Sequence, residues 1–148
     1  MYKNINVVIP AAGKGSRFSK AGWKKPKPFI DVNGLPMISR VIKNVTPKDS
    51  FVNLLFNAND IENNQSIVNA LSKSSQSIIK VDKITEGTAC TVLLAREQIN
   101  NDRPLLIANS DQLVDFNVNN FIKDCYKRNL DGSILVFKDT YKDPKWSF

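Results

Sequence analysis

The chain contains no histidine. That absence excludes Ser-His-Asp and Cys-His nucleophilic machinery, and with it histidine-ligated zinc. Cysteine is nearly as scarce: Cys90 and Cys125 are the only two, too few for a structural zinc site. Both fall among apolar residues in segments that read as helix, so they are expected to be buried free thiols. No apolar run approaches the roughly 20 residues of a membrane span. Lys3 is followed only by the short Val7–Ala12 run, with no cleavage pattern, so no signal peptide is expected and the cytoplasm is the default location. Acidic residues are also few, 14 against 21 Lys and Arg, which leaves a net charge of +7.

The 148 residues, 42% of them hydrophobic, suit one domain with a real core. Much of the positive charge is concentrated in Lys14, Arg17, Lys20, Lys24, Lys25 and Lys27. A nucleic-acid surface would interleave such cations with stacking rings, and only Phe18, Trp23 and Phe29 lie nearby. A phosphate-bearing small molecule is the expected partner, rather than nucleic acid or a membrane.

Along the chain, strand and helix alternate. Ile5–Ile9 reads as a buried strand and residues 11–28 as a loop rich in Gly, Lys and Pro. Pro36 opens a helix whose stripe is Met37, Ile38, Val41, Ile42 and Val45. Phe51–Phe56 is a second strand. Asp60 is expected to cap a helix carrying Ile61, Ile67, Val68 and Leu71. Ser77–Val81 is a third strand, and Thr88–Ile99 a helix packed through Ala89, Val92, Leu93 and Ile99. Leu105–Ala108 is a fully apolar fourth strand. Val118, Phe121, Ile122, Cys125 and Tyr126 give a helical stripe, and Ser133–Phe137 reads as a fifth strand. This order predicts an α/β fold with a mostly parallel sheet covered on both faces. Ligands of such sheets bind at the carboxyl ends of the strands. The turn after the first strand and Asn109-Ser-Asp-Gln112 after the fourth both open there. The close of the chain, Asp143-Pro-Lys-Trp-Ser-Phe148, carries no capping signal, so a further segment is expected beyond it.

The first turn carries the chemistry. In Ile9-Pro-Ala-Ala-Gly-Lys-Gly-Ser-Arg17 an apolar strand enters a glycine-rich turn that ends in a cation. It is not a Walker loop, which has four residues between its glycines and then Lys-Ser/Thr. Nor is it a dinucleotide fingerprint, because Phe18 stands where a third glycine is required. A lone Gly-x-Gly is a common structural turn. Arg17 and the later Pro26-Lys27-Pro28 make it more specific. Ala11 and Ala12 let a ligand approach the backbone, while Gly13 and Gly15 permit unusual φ values beside Lys14. Main-chain N–H groups can then face an anion. Arg17 offers a bidentate fork, and Lys27 a point charge on a stiffened segment. The expected guest is a nucleoside triphosphate (NTP).

Together with Lys25-Pro-Lys-Pro-Phe-Ile-Asp-Val-Asn-Gly-Leu-Pro-Met-Ile38, this turn resembles the nucleotidyltransferases that make nucleotide-activated sugars and related alcohols. Thr85-Glu-Gly-Thr-Ala89 is similar to that family's second base-contacting turn, and Asn109-Ser-Asp111 to its metal-binding strand end. The motifs keep the family's order over nearly the whole chain. The resemblance implies the three-layer, Rossmann-like fold of nucleotide-diphospho-sugar transferases. It implies that Ala11, Ala12 and Gly13 face base and sugar, with Lys14 in the same turn. Gly15 and Arg17 would hold the β- and γ-phosphates, and Lys27 would sit near the α-phosphate and the incoming phosphate. Gly87 and Thr88 would close over the base, and Asp111 would ligate Mg²⁺.

Asp111 can also be read as a turn cap and Asp115 as an ordinary turn residue. Glu86 is either base-reading or a helix N-terminal carboxylate. Family members are longer, their later part supplying much of the acceptor pocket and usually a second metal-binding acid. Trp146-Ser-Phe148 resembles the start of a strand leading there.

The implied reaction joins a phosphorylated sugar or related phosphate to NMP and releases pyrophosphate, for activated-sugar or capsule and other cell-surface polysaccharide synthesis. A phosphate monoester is already a nucleophile, so no histidine is needed. Competing readings are a non-catalytic nucleotide-binding fragment, a molybdopterin-type nucleotidyltransferase and an RNA-binding basic domain. Base, acceptor and oligomeric state are not written in the pattern.

Overall fold

The computed structural model describes residues 4–140. The expectations for Trp146-Ser-Phe148 lie outside that range. The chain divides into two compact units, Met1–Val118 and Asn119–Phe148.

The first unit is built on four parallel strands, β1 (Asn6–Ala11), β4 (Phe51–Asn57), β5 (Ser77–Val81) and β6 (Leu105–Ile107), in the order β5-β4-β1-β6. In β1, Val7, Val8 and Ile9 are fully buried, as are Leu54, Leu55 and Phe56 in β4. Burial on both faces explains why these strands read as continuous apolar runs rather than alternating ones. The chain runs outward from β1 to β4 and β5, then returns to pair β6 on the other side of β1. That reversal leaves a crevice at the carboxyl end of β1, where open α/β sheets place their ligands.

A two-stranded hairpin, β2 (Asp31–Val32) and β3 (Leu35–Pro36), turns through Asn33 and Gly34, both at positive φ. The Asp31 carboxylate accepts from the Gly34 N–H at 2.8 Å. Helix α2 (Met37–Val45) buries Ile38, Val41 and Val45, three of the five residues of the expected stripe. On the other side Val8, Ala12, Leu55 and Val81 pack with Val92 and Ala95.

Several expectations need correction. The loop over residues 11–28 contains a short helix, α1 (Ser16–Lys20), and ends in a 3-10 turn, Lys27–Phe29. The next helix is capped by Asn57, whose side chain accepts from the Asn59 N–H at 3.0 Å, and not by Asp60. It is also two helices, α3 (Ala58–Asn63) and α4 (Gln65–Ser72), parted at Asn64. Asp60 lies in the first turn of α3, where burial pushes its carboxyl above the ordinary 3.8. A group with a raised folded pKa binds more protons folded than unfolded, so its contribution declines as pH rises through that window. Asp60→Asn is therefore expected to raise the melting temperature at pH 7 and leave it unchanged near pH 3, checked by thermal melts at both.

The expected Thr88–Ile99 helix breaks into α5 (Thr88–Leu93) and α6 (Arg96–Ile99). Leu94, Ala95 and Gln98 donate to carbonyls three residues back, so the backbone tightens into 3-10 geometry there. The rotation buries Thr91, Val92 and Ala95; Val92 and Ile99 pack as expected, whereas Ala89 and Leu93 are exposed. Cys90 is exposed and Cys125 half-buried, so neither thiol is buried, although both are free. Cys90 is two residues from Val92, about 200° around the helix and on its outer side.

The second unit carries the rest of helix α7 (Val118–Lys127). Ile122 is buried, Phe121 and Cys125 are half-buried and Tyr126 is exposed. The Arg128 guanidinium pairs with Asp124 at 3.1 Å. Ser133–Phe137 forms no strand among the described residues. Ile134 and Val136 are 84% and 78% exposed, because an apolar run becomes a strand only where a ladder partner meets it.

Candidate active site

Strand β1 delivers Ala11 and Ala12, both buried, to the crevice. Gly15 then takes a left-handed conformation at φ 56° and starts α1, its carbonyl accepting from Phe18 and Ser19. A Cβ on Gly15 would stand 3.4 Å from the Lys27 Cβ, an ordinary contact, so it is the left-handed φ of the turn that favours glycine here. The main-chain N–H groups of Ser16 and Arg17, ahead of Phe18 and Ser19, have no carbonyl within the helix to bond and can meet an anion.

Lys27 is held from below. Phe29, two residues on, is buried against Phe56 of β4, with ring centroids 5.0 Å apart. The Ile30 carbonyl accepts from Met37, which ties the end of the turn to α2. The Lys27 ammonium lies over the Phe18 ring, 5.1 Å from its centroid, and pairs with the Asp111 carboxylate, which follows β6.

Residues 85–91 supply another part of the same cavity. Gly87 is fully extended before α5. Its carbonyl accepts from the Thr91 N–H and lies 3.2 Å from each of the Thr85 and Thr91 hydroxyls.

These segments enclose a cavity of about 420 Å³, and all ten candidate residues line it: Ala11, Ala12, Gly13, Lys14, Gly15, Arg17, Lys27, Gly87, Thr88 and Asp111. Three cations, Lys14, Arg17 and Lys27, face one carboxylate there. Glu86 and Asp115 do not line it. Sequence reasoning missed Thr85, Thr91, Ser16, Phe18, Asn109 and Ser110 as lining residues. Thr85, Ser16, Asn109 and Ser110 already stood within the quoted motifs. Thr91 gave no signal, because threonine inside a helix is usually only a polar face.

The cavity is open to solvent, polar, strongly basic on one side and large enough for a small phosphorylated ligand. A family model described as nucleotidyl transferase matches residues 6–146. The bifunctional protein GlmU of Methanococcus aeolicus is 28% identical over 123 residues, 83% of this chain but 28% of that protein. The UDP-glucose pyrophosphorylase from Acinetobacter baumanii superposes with a TM-score of 0.62 at 21% identity, over 87% of this chain and 54% of that one. The inositol-1-phosphate CTP transferase from T. maritima gives 0.61 at 16% identity, over 76% and 45%. The chain thus spans about half of these structures and less than a third of the curated relative. The likeness to the solved structures is one of fold, the three-layer Rossmann-like arrangement with a mostly parallel sheet. The glycine-rich turn, the lysine segment and the strand order all fall inside the matched range, and the chain belongs to the nucleotidyl transferase family.

Proposed function

We propose that the cavity binds a nucleoside triphosphate and transfers its nucleotidyl group to a phosphorylated sugar or related alcohol phosphate, releasing pyrophosphate. The observation that carries this reading is the convergence of the Ala11–Arg17 turn, Lys27 and Asp111 on one cavity at the point where strand order reverses. The names of the structural relatives, a UDP-glucose pyrophosphorylase and an inositol-1-phosphate CTP transferase, support the acceptor class.

In the reaction, an oxygen of the acceptor phosphate forms a bond to the α-phosphorus while the bond from that phosphorus to the α–β bridging oxygen breaks. The attacking monoester is anionic at neutral pH, so no side chain has to remove a proton. The chain's contribution is alignment and charge. Arg17 and the opening amides of α1 would hold the β- and γ-phosphates, and Lys27 would meet the charge that develops around the α-phosphate. Gly87 and Thr88 would flank the nucleoside. Among the described residues Asp111 is the one carboxylate lining the cavity, with the Asn109 and Ser110 oxygens nearby in sequence. That donor set fits a magnesium ion, which takes one or two carboxylates together with substrate phosphates and water. When bound, the ion would neutralise phosphate charge. Activated-sugar synthesis in the cytoplasm is the setting we assign, with cell-surface or capsule polysaccharide as its destination. Among the described residues no helix is long and apolar enough to cross a membrane.

The test is pyrophosphate release from ATP, CTP, GTP, UTP and dTTP against a panel of sugar phosphates and alcohol phosphates with Mg²⁺. Release that depends on one acceptor supports transfer. Nucleotide binding without release supports a binding module, and the absence of both overturns the proposal.

A further inference from the structure

We propose that the Thr85 and Thr91 hydroxyls form a clasp that sets the Gly87–Thr88 turn, making both threonines positioning residues for the nucleoside part of a bound nucleotide. The inference rests on the nucleotide-binding reading above and concerns a part of the cavity separate from Arg17 and Lys27.

The two hydroxyl oxygens are 2.5 Å apart, and each is 3.2 Å from the Gly87 carbonyl oxygen. That carbonyl already accepts from the Thr91 N–H at 3.1 Å. A carbonyl has two lone pairs, so it has room for one hydroxyl donor besides the amide. The other hydroxyl must then donate to its neighbour. Two protons satisfy a closed ring of three oxygens, and each threonine needs the other. A helical threonine that bonds only to the carbonyl four residues back is a common local habit. Here a second hydroxyl reaches in from outside the helix, and both threonines line the cavity.

The location gives the clasp its consequence. Thr91 is buried, 7% exposed, on α5, which is anchored to the sheet through Val92. Thr85 belongs to the loop between β5 and α5. Gly87, at the helix N-cap, has no side-chain cap of its own. The two hydroxyls therefore tie a loop of small residues to a fixed element. They set where the Gly87 and Thr88 backbone faces the cavity. A Thr→Val change keeps the side chain's shape and removes the ring.

Isothermal titration of the full chain against the five nucleoside triphosphates and against inorganic triphosphate, all with Mg²⁺, tests this. Thr91→Val is expected to weaken the tightest-binding nucleotide about tenfold, the effect of one lost hydrogen bond of ordinary strength. Inorganic triphosphate, which has no nucleoside, should bind within about twofold of wild type. Thr91→Ser, which keeps the hydroxyl, should restore nucleotide affinity. Thr85→Val removes the outer partner from a half-buried loop position and should reproduce the loss if Thr91→Val fails to fold. Nucleotide affinity unchanged in both valine variants overturns the clasp and leaves the nucleotide reading standing. An equal loss for nucleotide and inorganic triphosphate also overturns it, because the effect would then not be confined to the nucleoside. A wild-type chain that binds inorganic triphosphate but no nucleotide overturns the function proposal and the clasp with it.

Discussion

Lys27→Ala is expected to lower kcat for nucleotidyl transfer about a hundredfold while the protein stays folded. The rate loss follows from removing one preorganised charge at the reacting phosphate, about 3 kcal/mol by comparison with the loss of an oxyanion-hole donor. The small stability effect follows from the surroundings. The Lys27 and Asp111 side chains are 19% and 35% exposed, and an ion pair open to solvent contributes about 1 kcal/mol or less. For a chain of this size that is a shift of about 3 °C in Tm. Phe29 stays anchored on Phe56 in the variant, so the backbone of the turn is retained. Steady-state pyrophosphate release alongside a thermal melt separates the two effects. Wild-type turnover in the variant would remove Lys27 from the mechanism.

Asp111→Asn should also cost about a hundredfold in magnesium-dependent turnover, but with the opposite effect on metal-free nucleotide. The amide keeps the size of the carboxylate and discards its charge, so the magnesium titration should move to much higher concentration. At the same time Lys27 loses its counter-charge and meets the phosphates unopposed. Nucleotide titrated in EDTA should bind Asp111→Asn at least as tightly as wild type, whereas Lys27→Ala should bind it more weakly. A magnesium titration identical to wild type would reject the metal role of Asp111.

Strands β1 and β4 were readable because both of their faces are buried, which writes Val7–Ile9 and Leu54–Phe56 as apolar runs. The glycine-rich turn was readable because φ above zero leaves few alternatives to glycine at position 15. Breaks within helices were not readable. Nothing in Thr88–Ile99 announces that Leu94 and Ala95 will bond three residues back, and that choice decides which side of the segment is buried. The Asn57 cap was hidden because Asn and Asp are nearly equivalent caps, so Asp60 answered the same pattern three residues late. Hydrophobicity alone misled at Ser133–Phe137, since strand formation depends on a partner that local sequence does not specify. Thr91 escaped notice because its meaning lies in a second hydroxyl six positions away.

The Phe29–Phe56 ring pair gives the interior a fulcrum for the Lys27 ammonium that lines the cavity. Trimming either ring would let the proline-framed turn settle toward the sheet and draw the Lys27 head group away from its post. Attempts to make the protein sturdier by redesigning its aromatic interior should therefore spare these two side chains, since a change felt first as looser packing would reappear as a displaced lysine in the proposed site.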